Sequence, residues 1–185
     1  LEYVCSFFMI LSGVNFSLFY YARIGRPATL WRHEETKVFL RIIGASVLLF
    51  TLLLMFYTPA DCPQDLIPQG LEEKFRTALF HVSTIMSSTG FAAQKFDYVA
   101  WGTFFWGPTI LIMAIGACAG STAGGLKMGR LLLILKNLRR NIRRILSPQR
   151  VEVVRMNGNR IGEDVLNNTN TYLAAYGVIL VGSFL

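Results

Sequence analysis

Two short stretches hold the residue types that could do chemistry. Ser87-Ser88-Thr89-Gly90-Phe91 packs hydroxyls and carbonyls closely together with little bulk. Gly90 is free to take backbone angles that other residues avoid and so to turn its carbonyl toward an axis. Rings of such carbonyls can replace the water shell of a potassium ion. The expected ion ligands are the backbone groups of Ser88, Thr89 and Gly90, flanked by Ser87 and Phe91. The second stretch, GACAGSTAGGLK from Gly116 to Lys127, sets small residues inside a long apolar run and a lysine at its exit.

The second stretch has three readings. A phosphate loop requires G-x-x-x-x-G-K-[ST]. Counting from Gly120, Gly125 falls correctly, but Leu126 holds the lysine position and Lys127 is followed by Met128. Helix packing is the second reading: Gly116, Gly120 and Gly124 are spaced for close approach of two membrane helices. The third is a break. The run from Trp101 to Lys136 would make a helix of roughly 54 Å, against an apolar core of ~30 Å. Gly124-Gly125 is a weak point, each glycine costing about 1 kcal/mol relative to alanine. A break here gives two shorter helices joined by a mobile loop, with Ser121 and Thr122 offering polar contacts. Lys127 then either repels cations or pairs with a carboxylate, or it snorkels at the inner interface.

The elements that position these stretches follow from composition. The chain has 185 residues, 53% hydrophobic and 16% charged, where soluble domains carry roughly 25% charge. It reads as an all-α membrane protein. Candidate spans are Tyr3–Ala22, Val38–Thr58, the broken Trp101–Lys136 run and a segment starting at Tyr172. The chain starts without methionine and stops inside an apolar run, so a piece of a larger polypeptide is expected. The formal charge of +7 sits between the spans. It therefore speaks for orientation and against nucleic acid. Ten basic residues face Glu152 alone between Lys127 and Arg160, which places that connection and the Arg23–Arg41 one in the cytoplasm. Asp61, Asp65, Glu72, Glu73 and Asp97 place the Pro59–Ala100 connection outside, as an acidic vestibule. Trp101, Phe104, Phe105 and Trp106 read as an aromatic belt there.

That outer connection still contains a helical pattern, with Phe75, Ala78, Leu79, Val82, Ile85 and Met86 on one face. From Glu72 to Met86 it measures only roughly 22 Å. It is too short to cross and return, so a re-entrant half-helix is expected, ending at Ser87–Phe91. Its negative dipole end favours a cation. The competing reading is an ordinary turn after a surface helix. Lys136–Leu146 is a basic amphipathic helix suited to anionic lipid. The alternation around Asn157-Gly158 predicts a hairpin. His81 is expected to be a packed residue. Cys5, Cys62 and Cys118 form no metal spacing, and no nucleophile-base arrangement appears, so an enzyme is not expected.

STIMSSTGF together with GACAGSTAGGLKMGR resembles the membrane subunit of the Trk/Ktr potassium-uptake family, whose superfamily also holds the plant HKT transporters. GVNFSLFYYARIGRP (Gly13–Pro27) and VEVVRMNGNRIGEDV (Val151–Val165) also resemble family segments. The resemblance implies four successive repeats of helix, pore loop and helix in one polypeptide. Residues 1–37 would then be the end of repeat two and a cytoplasmic linker, and 38–146 a complete repeat. Residues 147–167 would form a cytoplasmic hairpin and 168–185 the first helix of the next repeat. It further implies a multi-pass protein of the cytoplasmic (inner) membrane that takes up potassium. Ser87–Phe91 would be its selectivity filter, and Gly116, Gly120, Ser121, Thr122, Gly124, Gly125 and Lys127 its gate loop. A homodimer is implied, with a cytoplasmic ring of nucleotide-binding regulatory subunits. Nucleotide would be bound by that partner, with no cofactor in this chain. Two alternatives stand beside this. One is a carrier with discontinuous helices that binds a small solute or Na+ at mid-membrane. The other is a structural scaffold using GxxxG contacts, which requires an unbroken helix through Gly120.

Overall fold

In the computed structural model of the chain, residues 1–25, 28–57, 67–93, 103–147 and 153–184 are described. The expectations for Asp61, Cys62, Asp65, Asp97 and Trp101 lie outside them, as does that for the side chain of Phe104. The described residues are mostly helical and form two compact units, Leu1–Met128 and Gly129–Leu185.

The first unit contains α1 (Glu2–Ser12), α2 (Phe16–Arg23), α3 (Ala28–Arg32), α4 (Glu34–Phe56), α5 (Leu71–Met86) and α6 (Thr103–Ala114). Among the described residues, α4 alone is long and apolar enough to cross a membrane as one straight helix. The expected continuous span Tyr3–Ala22 is corrected: α1 and α2 meet at 94°. The bend falls at Gly13–Asn15. Asn15 leaves helical geometry and caps α2, its side chain accepting the Ser17 N–H at 2.9 Å. That supplies one of the donors a helix start leaves unsatisfied. Gly13 is required for close packing, because a Cβ there would lie 2.5 Å from the Phe39 ring.

Helix α5 packs against α1, α4 and α6. Its C-terminal half is buried on nearly every side, including Thr77, Ala78, Phe80, His81, Val82, Ser83, Thr84 and Met86. The expected single apolar face is thus corrected. Phe75 is 44% exposed, Leu79 and Ile85 are half-buried, and polar residues are buried in their place. A helix enclosed by three others has no solvent face to set its period. Two hydroxyls at its C-terminal end bond back to its own carbonyls: Ser83 Oγ donates to Leu79 O at 2.6 Å, and Ser87 Oγ to Ser83 O at 2.7 Å. His81 is packed as expected, with Nε2 3.1 Å from Thr109 Oγ1 on α6 and its ring 4.9 Å from that of Phe50 on α4. Phe105 joins that cluster, 6.3 Å from Phe50.

The second unit contains most of α7 (Met128–Leu146), the strands β1 (Arg155–Met156) and β2 (Asn159–Arg160), and α8 (Glu163–Phe184). Arg155 pairs with Arg160 and Met156 with Asn159, antiparallel. Asn157 and Gly158 both take positive φ, 50° and 85°, as a two-residue hairpin turn demands. Leu133, Val154 and Leu166 form a small core with Met156 and Ile161 against it. Helix α8 starts at Glu163, inside the segment 147–167 expected to form the hairpin. Glu163 and Asp164 occupy its first turn, where acids suit the helix dipole. Arg140 of α7 holds Glu163 by two nitrogens, at 2.6 and 3.1 Å. The Arg130 guanidinium lies 3.8 Å over the Tyr172 ring, a cation–π contact.

Candidate functional site

Helix α5 ends in a way that its sequence does not advertise. The Ser88 N–H donates to Ile85 O at 3.0 Å and the Thr89 N–H to Thr84 O at 2.9 Å. This is the paired-bond helix stop that normally places glycine in the left-handed position. Here that position is Ser88, with φ 57°, a region that costs an L-residue roughly 1–2 kcal/mol. Gly90 follows with φ 80°. Nothing lies within 4 Å of where its Cβ would be, so glycine is required there by conformation and not by packing. Ser87 is buried and its hydroxyl lies 2.6 Å from that of Thr89, while Ser88, Thr89, Gly90 and Phe91 are exposed.

The break expected between α6 and α7 is present and covers 115–127, so a continuous helix through Gly120 is excluded. Pro108 sits inside α6 and the helix ends at Ala114. In this structure the loop is closed on itself and fastened to its surroundings. Gly116 N–H donates to Leu126 O at 2.9 Å and Leu126 N–H to Ala114 O at 3.2 Å. A Cβ on Gly116 would lie 2.1 Å from Gly124 O, so the two ends approach as only glycine allows. Outward, Cys118 N–H donates to Gly13 O at 3.1 Å and Phe16 N–H to Gly120 O at 3.2 Å. Both bonds are made at the α1–α2 bend. Gly120 has φ 72°, and its missing Cβ would sit 3.0 Å from Asn15 Oδ1.

The remaining polar groups of the loop are also engaged. Ser121 Oγ turns inward to Cys118 O at 2.6 Å. Thr122 Oγ1 reaches Ser12 O at 3.4 Å. The Lys127 ammonium folds back on the loop, donating to Ala123 O and, at 3.5 Å, to Ser121 O. These carbonyls offset its charge where a membrane would not. Gly125, with φ 73°, supplies the turn that permits it.

Two residues that sequence reasoning passed over, Asn15 and Glu35, complete the site. Asn15 sits at the bend. Glu35, in the first turn of α4, is 2% exposed and its Oε1 accepts the Ala119 N–H at 2.6 Å. Ser88 Oγ accepts the Gly124 N–H at 3.1 Å, which joins the two motifs directly. At the far end of α5, Glu72 and Glu73 are not free vestibule charges. Arg76 lies 3.9 Å from each and 3.0 Å from Glu2 of α1, and Tyr3 Oη donates to Glu72 at 2.9 Å.

A helix buried to its tip, an exposed small-residue segment beyond it, and a knotted helix break bonded to that segment together form a specific arrangement. The family model described as "TrkH: Cation transport protein" matches residues 1–183. The chain belongs to the TrkH family. It is 28% identical over 185 residues to the Trk system potassium uptake protein TrkH of Salmonella typhimurium, covering 98% of this chain and 36% of that protein. Against TrkH of Halomonas elongata the identity is 30%, with the same coverage of each. The crystal structure of the potassium transporter TrkH from Vibrio parahaemolyticus superposes with a TM-score of 0.83 at 26% identity, over 97% of this chain and 37% of that one. The chain thus spans about a third of the length of its TrkH relatives. The family and the helical architecture agree with an all-α membrane protein.

Proposed function

We propose that this chain is part of a potassium-uptake protein of the cytoplasmic membrane. In this reading α5 is a re-entrant half-helix, Ser87–Phe91 is one strand of a selectivity filter, and residues 115–127 are the gate below it. Three further strands, from other parts of the full-length protein, would complete the ring. Family membership supports the substrate, since the relatives matched are Trk potassium-uptake proteins.

The observation that carries the reading is the backbone at the tip of α5. Positive φ at Ser88 and Gly90, with Thr89 between them outside that region, alternates the sense of successive peptide planes. Such alternation permits neighbouring carbonyls to face one side, as ion coordination by backbone oxygen requires. The same residues are exposed, in a part of the chain where irregular backbone is tolerated only beside protein or water. The enclosed helix behind them aims its negative dipole end at the same place. The loop 115–127 hydrogen-bonds to this segment through Ser88, which supports reading it as an obstruction beside the path.

By the same reading, residues 38–146 form one complete repeat. The basic face of α7 and the 155–160 hairpin face the cytoplasm, where they would meet nucleotide-binding regulatory subunits, and the whole protein is a homodimer. Substituting Gly90 by valine in the full-length protein tests the filter. A β-branched residue cannot hold φ 80°, so potassium uptake falls by at least an order of magnitude or loses its preference over sodium. Selective uptake at the unsubstituted rate would refute the filter assignment.

A further inference from the structure

Glu35 is an ionisable side chain that holds the 115–127 loop from outside, its Oε1 accepting the Ala119 N–H. Other fastenings are backbone–backbone bonds at Gly13 and Phe16 and hydroxyl contacts of Thr122 and Ser88. A hydrogen bond to a carboxylate is about twice as strong as one between neutral groups. At 2.6 Å the Glu35–Ala119 bond is also the shortest of the set. Glu35 is 2% exposed, and a carboxylate shut away from water is costly unless its oxygens are satisfied. Its position is prepared by the fold. It lies in the first turn of α4, and α4 is wedged under the α1–α2 bend by Phe39, which meets Gly13. When the loop withdraws, Ala119 leaves with it, and the carboxylate loses a donor that its burial makes hard to replace. The free energy of Glu35 is therefore tied to the position of the loop.

We propose that Glu35 is a positioning residue that latches the loop in its closed arrangement through the Ala119 amide, so that opening requires this bond to break. The proposal rests on the reading of residues 115–127 as the gate. It adds the side chain that sets how far the resting equilibrium lies toward closed.

The test is basal rubidium efflux from liposomes containing the full-length protein, with Glu35→Ala, Glu35→Gln and a deletion of residues 120–125 measured beside the unsubstituted protein. Glu35→Ala should raise basal efflux roughly tenfold, equivalent to about 1.4 kcal/mol of closed-state bias. Glu35→Gln keeps an oxygen acceptor without the charge and should raise it roughly threefold or less. The rubidium-to-sodium preference should be unchanged in both, since the filter is untouched. A merely structural role would lower protein yield and melting temperature without moving basal efflux. If Glu35→Ala fails to assemble, Ala119→Pro removes the donor while sparing the carboxylate. Roughly tenfold efflux from it supports the latch, and unchanged efflux overturns it. If the deletion raises efflux but Glu35→Ala does not, the latch is wrong and the gate stands. If the deletion leaves efflux unchanged, the gate reading falls and the latch falls with it.

Discussion

Ser88 Oγ accepts the backbone N–H of Gly124 at 3.1 Å, across 36 residues of sequence. One hydroxyl thereby joins the tip of the enclosed helix to the loop that breaks the next one. Ser88 also occupies the left-handed position where a helix stop usually places glycine. A serine there accepts a conformational cost in exchange for a side chain that can reach the loop.

Ser88→Ala keeps the backbone requirement and deletes the link. A neutral hydrogen bond of this type contributes about 1 kcal/mol. Basal ion leak through the full-length protein should therefore rise several-fold with ion preference retained, measured by rubidium efflux against sodium competition. An unchanged leak with altered preference would show that Ser88 serves the filter alone.

Gly116→Ala drives a methyl carbon to 2.1 Å from the Gly124 carbonyl oxygen. The obstacle is backbone, so no side-chain rotation relieves it. Overpacking of this kind costs roughly 1–3 kcal/mol. The loop should lose its Gly116–Leu126 closure, seen as faster deuterium exchange at Gly116 and Leu126 in the full-length protein. Exchange at the unsubstituted rate would contradict the described loop. Gly124→Ala makes the internal control. A Cβ there meets nothing closer than the Ser88 hydroxyl at 3.6 Å, so its effect should be smaller.

Arg140 holds the Glu163 carboxylate below its ordinary value of 4.5, chiefly through their direct hydrogen bonds. A depressed carboxylate pKa contributes stability that is present above the unfolded value and lost as pH falls through the folded one. Glu163→Gln should therefore loosen the contact between α7 and α8 at neutral pH and make no difference well below pH 4.5. Glu163 is exposed, so the effect is small. The check is protease sensitivity of residues 147–162 at pH 7 and at the low end of a series descending from pH 4.5, with an acid-tolerant protease there. A Gln variant that differs equally at both would remove the charge from the explanation.

Legibility from sequence followed physical scale. The break at 115–127 was legible because a helix of that run exceeds the membrane core, and no local contact can hide a length. The hairpin was legible because Asn157-Gly158 meets a strict backbone demand. The bend at Gly13–Asn15 was not. It lies in an apolar run with a single glycine, and the break is fixed by partners distant in sequence, Phe39 and Cys118. Glu35 was illegible for a related reason. A glutamate among basic linker residues reads as solvated, and only the fold brings Ala119 over it. The burial of the C-terminal half of α5 on nearly every side, polar residues included, likewise depends on three neighbouring helices that its own periodicity does not encode. The end of α5 at Met86 was legible, but the left-handed turn at Ser88 was hidden because the residue there is not the glycine that the motif prefers.

The central claim is that main-chain oxygens at the tip of α5 face a passing ion. Its most direct test is a structure of the full-length protein in rubidium or thallium, read for anomalous density. Density within coordination distance of the Ser88, Thr89 and Gly90 carbonyls, with the 115–127 loop beneath it, is the predicted result. Ion density elsewhere, with Thr89 and Gly90 open to bulk water away from any conduit, would contradict it.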